Sequence, residues 1–446
     1  MSIILSVLLA FTQLSVEQPG AVVRVVPVTD GTPSKTGQNQ PGLDTDGGFT
    51  WNLQATLPNV VLIDLSFADD SVGYACAELG IIYKTTNSGA TWNRIMDLGF
   101  PYYWYGVSAV SRDRVIVSGF NNTEGTGIYR WTTDGGSSWD SITTLDTANW
   151  LSRVHFADSL HGIISAGWNG GVWRTENGGR NPSDWSYVQV DTSRGWFEGN
   201  FCYRADGRCW LTGISFCGST DHGATWNVQH SADPVFDGGV WFTDTLHGWT
   251  GGGQISAPVK GWVHRTTDGG ATWSGRLIET PEPIRAVLFL NDTLGFAVGG
   301  NHYTSVGAIY STTDGGDSWR LDVNTGSEMK GMDYQLVGDS IDLWCVGFDN
   351  SFTGCIYKTR IAATGTGISE WGVESGRLGK PASAGPTILT EASSVKRLAS
   401  SVILDAMGRR VLNPTPGVYF VRERPQAASL KPHTVRKVII TRQGGQ

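Results

Sequence analysis

The sequence predicts an all-β protein, a seven-bladed β-propeller followed by a small C-terminal β-sandwich domain. Three observations predict it. A Thr/Ser-x-Asp-Gly-Gly-x-x-Trp phrase recurs down the chain, short alternating apolar runs fill the intervals, and Gly (59) and Trp (19) are abundant while charged residues make up 17% of 446. A period of roughly 40 to 50 residues with such runs belongs to propeller blades or other stacked repeats. Many tight turns between aromatic-packed strands account for the composition and disfavour helical bundles.

The copies are TDGGFTW after Asp44, TTNSGATW at Thr85, TTDGGSSW at Thr132, TENGG at Thr175 with Trp185 displaced, STDHGATW at Ser219, TTDGGATW at Thr266 and TTDGGDSW at Thr312. IYKTR brings Thr359 into register without the phrase. Successive starts lie 41, 47, 43, 44, 47, 46 and 47 residues apart.

In chain order, residues 1–19 hold an apolar run from Ile3 to Phe11 and read as a secretory signal lacking the usual basic start. Residues 20–43 are a turn-rich linker. The propeller spans 44–361. Its full repeats share a plan, as in VWFTDTLHGWTGGG, GWVHRT and the phrase, which gives four antiparallel strands per blade. The first repeat has no room for three preceding strands, and the last has no following one. An N-terminal outer strand near Trp51 to Ala55 therefore completes the last blade, removing two exposed sheet edges and giving seven blades. Residues 362–386 form a Gly/Ser/Ala/Pro linker, and 387–446 resume short strands with another spacing.

Net charge is −8, yet the chain from Lys396 onward carries ten Lys/Arg and two Asp/Glu, so the propeller is acidic and the tail basic. An acidic propeller is unsuited to nucleic acid, which needs clustered Lys/Arg. No segment offers the ~20 apolar residues of a membrane span. Six Cys suit an oxidising compartment. Cys345 with Cys355, and Cys209 with Cys217, flank predicted hairpins and are expected as cross-strand bridges. Zinc-type Cys spacing is absent, so no metal or cofactor is expected.

The phrase resembles the Asp-box, or BNR repeat. The surrounding F-x-D-x-x-x-G and (Ile/Val)-(Tyr/Trp)-x-T patterns resemble the photosystem II stability/assembly factor group of Asp-box propellers over residues 44–361. That resemblance implies seven blades, no catalysis and surface contacts with other proteins. VILDAMGRRVL, PGVYFVRE and VRKVIITR resemble the C-terminal sorting domain of type IX secretion substrates. This implies delivery to the exterior through secretion machinery, in a family whose tail is often removed afterwards. A chain so addressed is not placed to assemble a thylakoid complex.

The Asp46, Asp134, Asp221, Asp268 and Asp314 carboxylates read as turn acceptors, with Trp92, Trp139, Trp226, Trp273 and Trp319 as packing residues. Repeated around a ring, they cannot converge on one substrate. A ligand site is expected at a channel mouth. Aligning the first strands places Asp64, Gly106, Arg153, Asn200, Gly239, Ala286 and Asp333 at one level there, with Glu198, Asp237 and Arg285 nearby. Tyr102, Tyr103, Trp104 and Tyr105 form a candidate aromatic platform. The expectation is a secreted or cell-surface, non-catalytic module binding a protein or polysaccharide. The alternative is an extracellular glycoside hydrolase, sialidase-like or endoglucanase-like, using two of Asp64, Glu198, Asp237 and Asp333. No arginine triad for a sialidase is visible.

Overall fold

A computed structural model describes residues 43–44, 49–167, 170–191, 200–213, 215–229, 238–254, 259–275 and 277–362, with four strands beyond residue 386. The chain divides into two units, Met1–Gly379 and Lys380–Gln446. In the first, seven antiparallel sheets stand in a ring with their first strands innermost. The fold is a seven-bladed propeller. The inner strands are Leu62–Phe67, Tyr102–Ala109, Leu151–Phe156, Phe201–Tyr203, Val240–Phe242, Ile284–Phe289 and Glu328–Val337, numbered here as blades 1 to 7.

The ring closes between the chain's two ends. Asn52–Leu57 pairs antiparallel with Gly354–Ala362 and supplies the outer strand of blade 7. Leu43–Asp44 adds a short parallel strand to the outside of blade 6.

The recurring phrase forms the turn between the third and fourth strands, on the same rim as the turn between the first and second. This rim is called the lower face. Thr266 Oγ1 accepts the Gly270 N–H (2.9 Å), while Asp268 accepts the Thr272 N–H (2.8 Å) and hydroxyl (2.6 Å). Asp134, Asp221 and Asp314 make the same bonds to Ser138, Thr225 and Ser318. Asn87 likewise accepts the Thr91 N–H, but its amide donates to the Thr91 hydroxyl instead of accepting from it.

Blades interlock through that turn. At its fourth position the backbone is left-handed (φ 58° at Ser88, 70° at Gly135, 57° at His222, 78° at Gly315). The carbonyl of that residue accepts a bond from the preceding blade. Lys358 and Trp344 donate to Ser88, Lys84 and Tyr74 to Gly135, Arg174 to His222, and Arg265 and Trp249 to Gly315. The same tryptophans stack on the last residue of the next inner strand, with Trp344 3.7 Å from Phe67 and Trp249 3.8 Å from Phe289. The motif's Trp92 and Trp319 then meet those phenylalanines edge-on within their own blades. Glycine is required opposite each Phe, since a Cβ on Gly295 would lie 2.3 Å from the Phe289 ring.

The expected disulfides do not form. All six cysteines are free and buried. Cys345 lies opposite Tyr357 and Cys355 opposite Gly347, while Cys209 faces Ser219 and Cys217 faces Leu211. Each pair is thus a diagonal two residues out of register, about 7–8 Å apart, beyond the reach of an S–S bridge. Alkylation of the denatured, unreduced protein should modify all six thiols by mass spectrometry; four or fewer would restore a bridge.

In the second unit, Thr387–Leu389, Ser401–Leu404, Gly417–Glu423 and Val435–Ile440 make one four-stranded sheet. The signal segment, most of both linkers and Asp46 lie outside the described residues.

Hydroxyl and then backbone N–H donors, from Ser138 and Thr272, hold Asp134 and Asp268 down to about 2. An unfolded Asp titrates near ~3.9, so these carboxylates contribute stability above that pH that is lost as pH falls towards about 2. Melting midpoints measured from about pH 5 downward should fall along this limb, and Asp268→Asn should flatten it.

Candidate ligand-binding face

The inner strands begin on the opposite, upper face, and five of them break register near the start. The unpaired positions are Ile63, Tyr105, Ser152–Arg153, Arg285 and Lys330. A bulge frees a carbonyl from the ladder and re-aims a side chain. The protein uses both effects.

The freed carbonyls are collected by two side chains. Arg153 Nη1 donates to the carbonyls of Ile63 (3.1 Å) and Tyr105 (3.3 Å), and Nη2 to that of Lys330 (3.4 Å). It also pairs with Asp64 at 3.0 Å. Asn200 Nδ2 caps the carbonyl of Arg285 at 3.1 Å. Four blades thus meet at one guanidinium in the channel.

Asp64, Arg153, Asn200, Gly239 and Ala286 line a common cavity in the channel. Gly106 packs against the backbone of Arg153 and Val154, where a Cβ would come within 2.5 Å of the Val154 nitrogen. Asp333 does not join this level. Blade 7 has a longer inner strand, and its bulge makes Gly331 the counterpart of Asp64. Asp333 is instead buried between blades 7 and 1, accepting the N–H groups of Phe67 (2.7 Å) and Tyr334 (2.8 Å). Glu198 and Asp237 lie outside the described residues.

The bulged side chains build a rim of which the sequence reading named Arg285 but not Glu328, Lys330 or His302. Glu328 is 2% exposed and gathers Lys330 Nζ (2.6 Å), Arg285 Nε (3.0 Å) and His302 Nδ1 (2.5 Å). Burial opposes its charge, but Lys330, His302 and Arg285 together hold it well below the usual carboxylate range. Around this knot lie exposed apolar side chains. Tyr303 is 69% and Phe352 53% exposed, and both flank the His302 ring, at 3.9 and 6.5 Å. Leu79 and Phe100 continue the exposed surface on blade 1 and at the start of blade 2. Burial raises Glu78 and Tyr103, and the Glu78 charge adds to the rise at Tyr103.

The aromatic platform is smaller than expected. Trp104 is fully buried in the packing between blades 1 and 2. Alternation along the strand leaves Tyr103 and Tyr105 together on the other side, ring centroids 6.4 Å apart, with Trp150 beside Tyr105. Tyr102 is half-buried with the blade 1 apolar cluster.

On the lower face Asp244, His247 and Asp292 place three potential metal-ligand atoms within 4.8 Å of one another. Hydrogen bonding accounts for the arrangement: Asp244 accepts from the Leu246 and His247 N–H groups and holds the His247 ring at 2.8 Å.

No protein-family model matches the chain. The photosystem II assembly lipoprotein Ycf48 of Synechococcus sp. (strain CC9902) is 25% identical over 238 residues, covering 43% of this chain and 68% of the relative. The chain resembles Ycf48 in sequence. Two solved structures, one described as YCF48 bound to D1 peptide and one as YCF48 from Cyanidioschyzon merolae, superpose with TM-scores of 0.51 and 0.50, each at 18% identity. They cover 72% and 69% of this chain and 99% and 98% of their own. The WD40 propeller domain of Doa1 superposes equally well, at 0.50 with 11% identity, over 70% of this chain and 97% of its own. These likenesses are of fold. No helix among the described residues is long and apolar enough to cross a membrane.

Removing Arg153 breaks the ion pair of the buried Asp64 and leaves three bulge contacts unmade. Arg153→Met should lower unfolding free energy by about 3–5 kcal/mol in denaturant titrations. Adding Asp64→Asn should restore part of that loss; a strictly additive double variant would contradict the pairing.

Proposed function

We propose that the chain is an exported, non-catalytic propeller that grips a partner protein on its upper face. The observation that carries this reading is the exposed aromatic pair Tyr303 and Phe352 beside the buried Glu328 knot, with exposed Leu79 and Phe100 on blade 1 and at the start of blade 2. Exposed aromatics beside desolvated charged groups are the composition of protein-binding hot spots. The sequence likeness to Ycf48 supports a binding role, since one propeller of that name is described with a bound peptide. The apolar leader and the sorting-type tail support export and engagement of secretion machinery.

Two carboxylates of the hydrolase alternative are already committed. Asp64 is paired with Arg153, and Asp333 accepts two backbone N–H groups. Neither is disposed to act as a free acid or nucleophile.

Partner capture from the source organism's envelope proteins, followed by affinity measurement, tests the reading. Tyr303→Ala and Phe352→Ala should each weaken binding about 10-fold or more, while Leu160→Ala on the lower face should leave it unchanged. Equal affinity in all three variants would remove the rim from consideration. A glycan array run in parallel tests the polysaccharide partner through Tyr103→Ala and Tyr105→Ala. Deleting residues 387–446 should retain the protein inside the cell; normal export would refute the sorting role.

A further inference from the structure

Two copies of the recurring turn carry a residue other than glycine at the left-handed position, Ser88 in blade 1 and His222 in blade 4, and only the second places a ring there. Where Gly135, Gly269 and Gly315 occupy the left-handed position, blade 4 carries His222 at φ 57°. A non-glycine residue there costs backbone energy, and such a cost persists where the side chain has a task.

The ring of His222 is placed with care. It stacks on His161 of blade 3, centroids 4.1 Å apart and planes 24° from parallel. Nδ1 meets the Tyr203 hydroxyl at 2.9 Å. Gly207 leaves room for it, since a Cβ there would lie 2.8 Å from the ring. The His222 carbonyl accepts Arg174 Nε at 3.0 Å, the bond that joins blade 3 to blade 4. His161 is itself fixed by Asp158, whose Oδ2 lies 2.7 Å from its Nδ1.

We propose that the stacked His161–His222 pair is an acid-sensitive latch at the joint between blades 3 and 4. With at most one proton between them the rings stack and the joint is closed. Protonation of both sets like charges face to face, and the repulsion pushes the His222 turn away from blade 3. The surrounding groups do not cancel this. Asp158 is engaged by His161, Glu176 pairs with Arg174, and Asp221 is bonded within its own turn. Arg174 adds a further positive charge, Arg114 is directed at the Ser159 and Gly178 carbonyls, and Tyr203 and His155 complete the surroundings.

Burial, and then the His161 ring, lower the His222 pKa. A histidine depressed below its unfolded value of ~6.5 contributes stability above that pH that is lost as pH falls. His247 is raised, chiefly by its Asp244 bond, and acts in the opposite sense. The signal is therefore the difference between parent and variant.

The test is the melting midpoint of the full chain at about pH 8 and pH 5.5, on either side of the histidine range. The parent should lose more on acidification than His222→Gly or His161→Gln, by about 2 °C or more. His222→Gly installs the residue that the turns of blades 2, 3, 5 and 6 carry, so it folds. Equal losses in all three proteins would overturn the latch. So would histidine NMR titrations in which both rings ionise independently at ordinary values.

Discussion

The ring depends on one repeated contact, the carbonyl of a left-handed turn residue in one blade accepting a donor from the blade before it. Lys358 and Trp344 reach Ser88 in this way, and Arg265 and Trp249 reach Gly315. The left-handed conformation is what turns that carbonyl outward. The motif's Thr and Asp close the turn by bonding its N–H groups, and the Trp that donates to the carbonyl also stacks on the neighbouring Phe. Fold and motif are therefore one device: the conserved-looking polar residues serve the backbone, and the aromatics serve the joint.

The lower face carries the interlocking turns, and the proposed binding surface lies on the upper face. There the inner strands carry bulges rather than regular ladders, and Arg153 and Asn200 satisfy the carbonyls that the bulges release. This converts two residues with the chemistry of ligand-binding groups into ring-closing ones. The side chains re-aimed by the same bulges, Arg285 and Lys330, gather at Glu328 beneath an exposed aromatic rim. Charges buried this deeply persist only when paired, and the pairing fixes His302 between Tyr303 and Phe352.

Departures from the repeat mark where individual blades differ in role. Blade 7 lengthens its inner strand and accepts the N-terminal strand, so the seam lies beside the rim. Blade 4 puts His222 where blades 2, 3, 5 and 6 carry glycine and blade 1 carries Ser88, and its short inner strand is preceded by Asn200.

The amino-acid sequence by itself determined the blade count, the closing strand and the turn residues, because period, left-handed glycines and Thr/Asp spacing are local. It also carried Tyr103 and Tyr105 towards one face by strand alternation, and Asp64, Arg153 and Asn200 to one cavity. It placed Asp333 wrongly and paired the cysteines wrongly, because each is a matter of register, and it grouped Tyr102, Tyr103, Trp104 and Tyr105 as one platform although alternation buries Trp104. A bulge shifts alternation by one residue and leaves no residue type that announces it, and a diagonal cysteine pair looks in sequence like a facing one. Only the tertiary structure decided which carbonyls were freed, which side chains were re-aimed and that Glu328 would hold them, since those outcomes depend on contacts between strands from different blades.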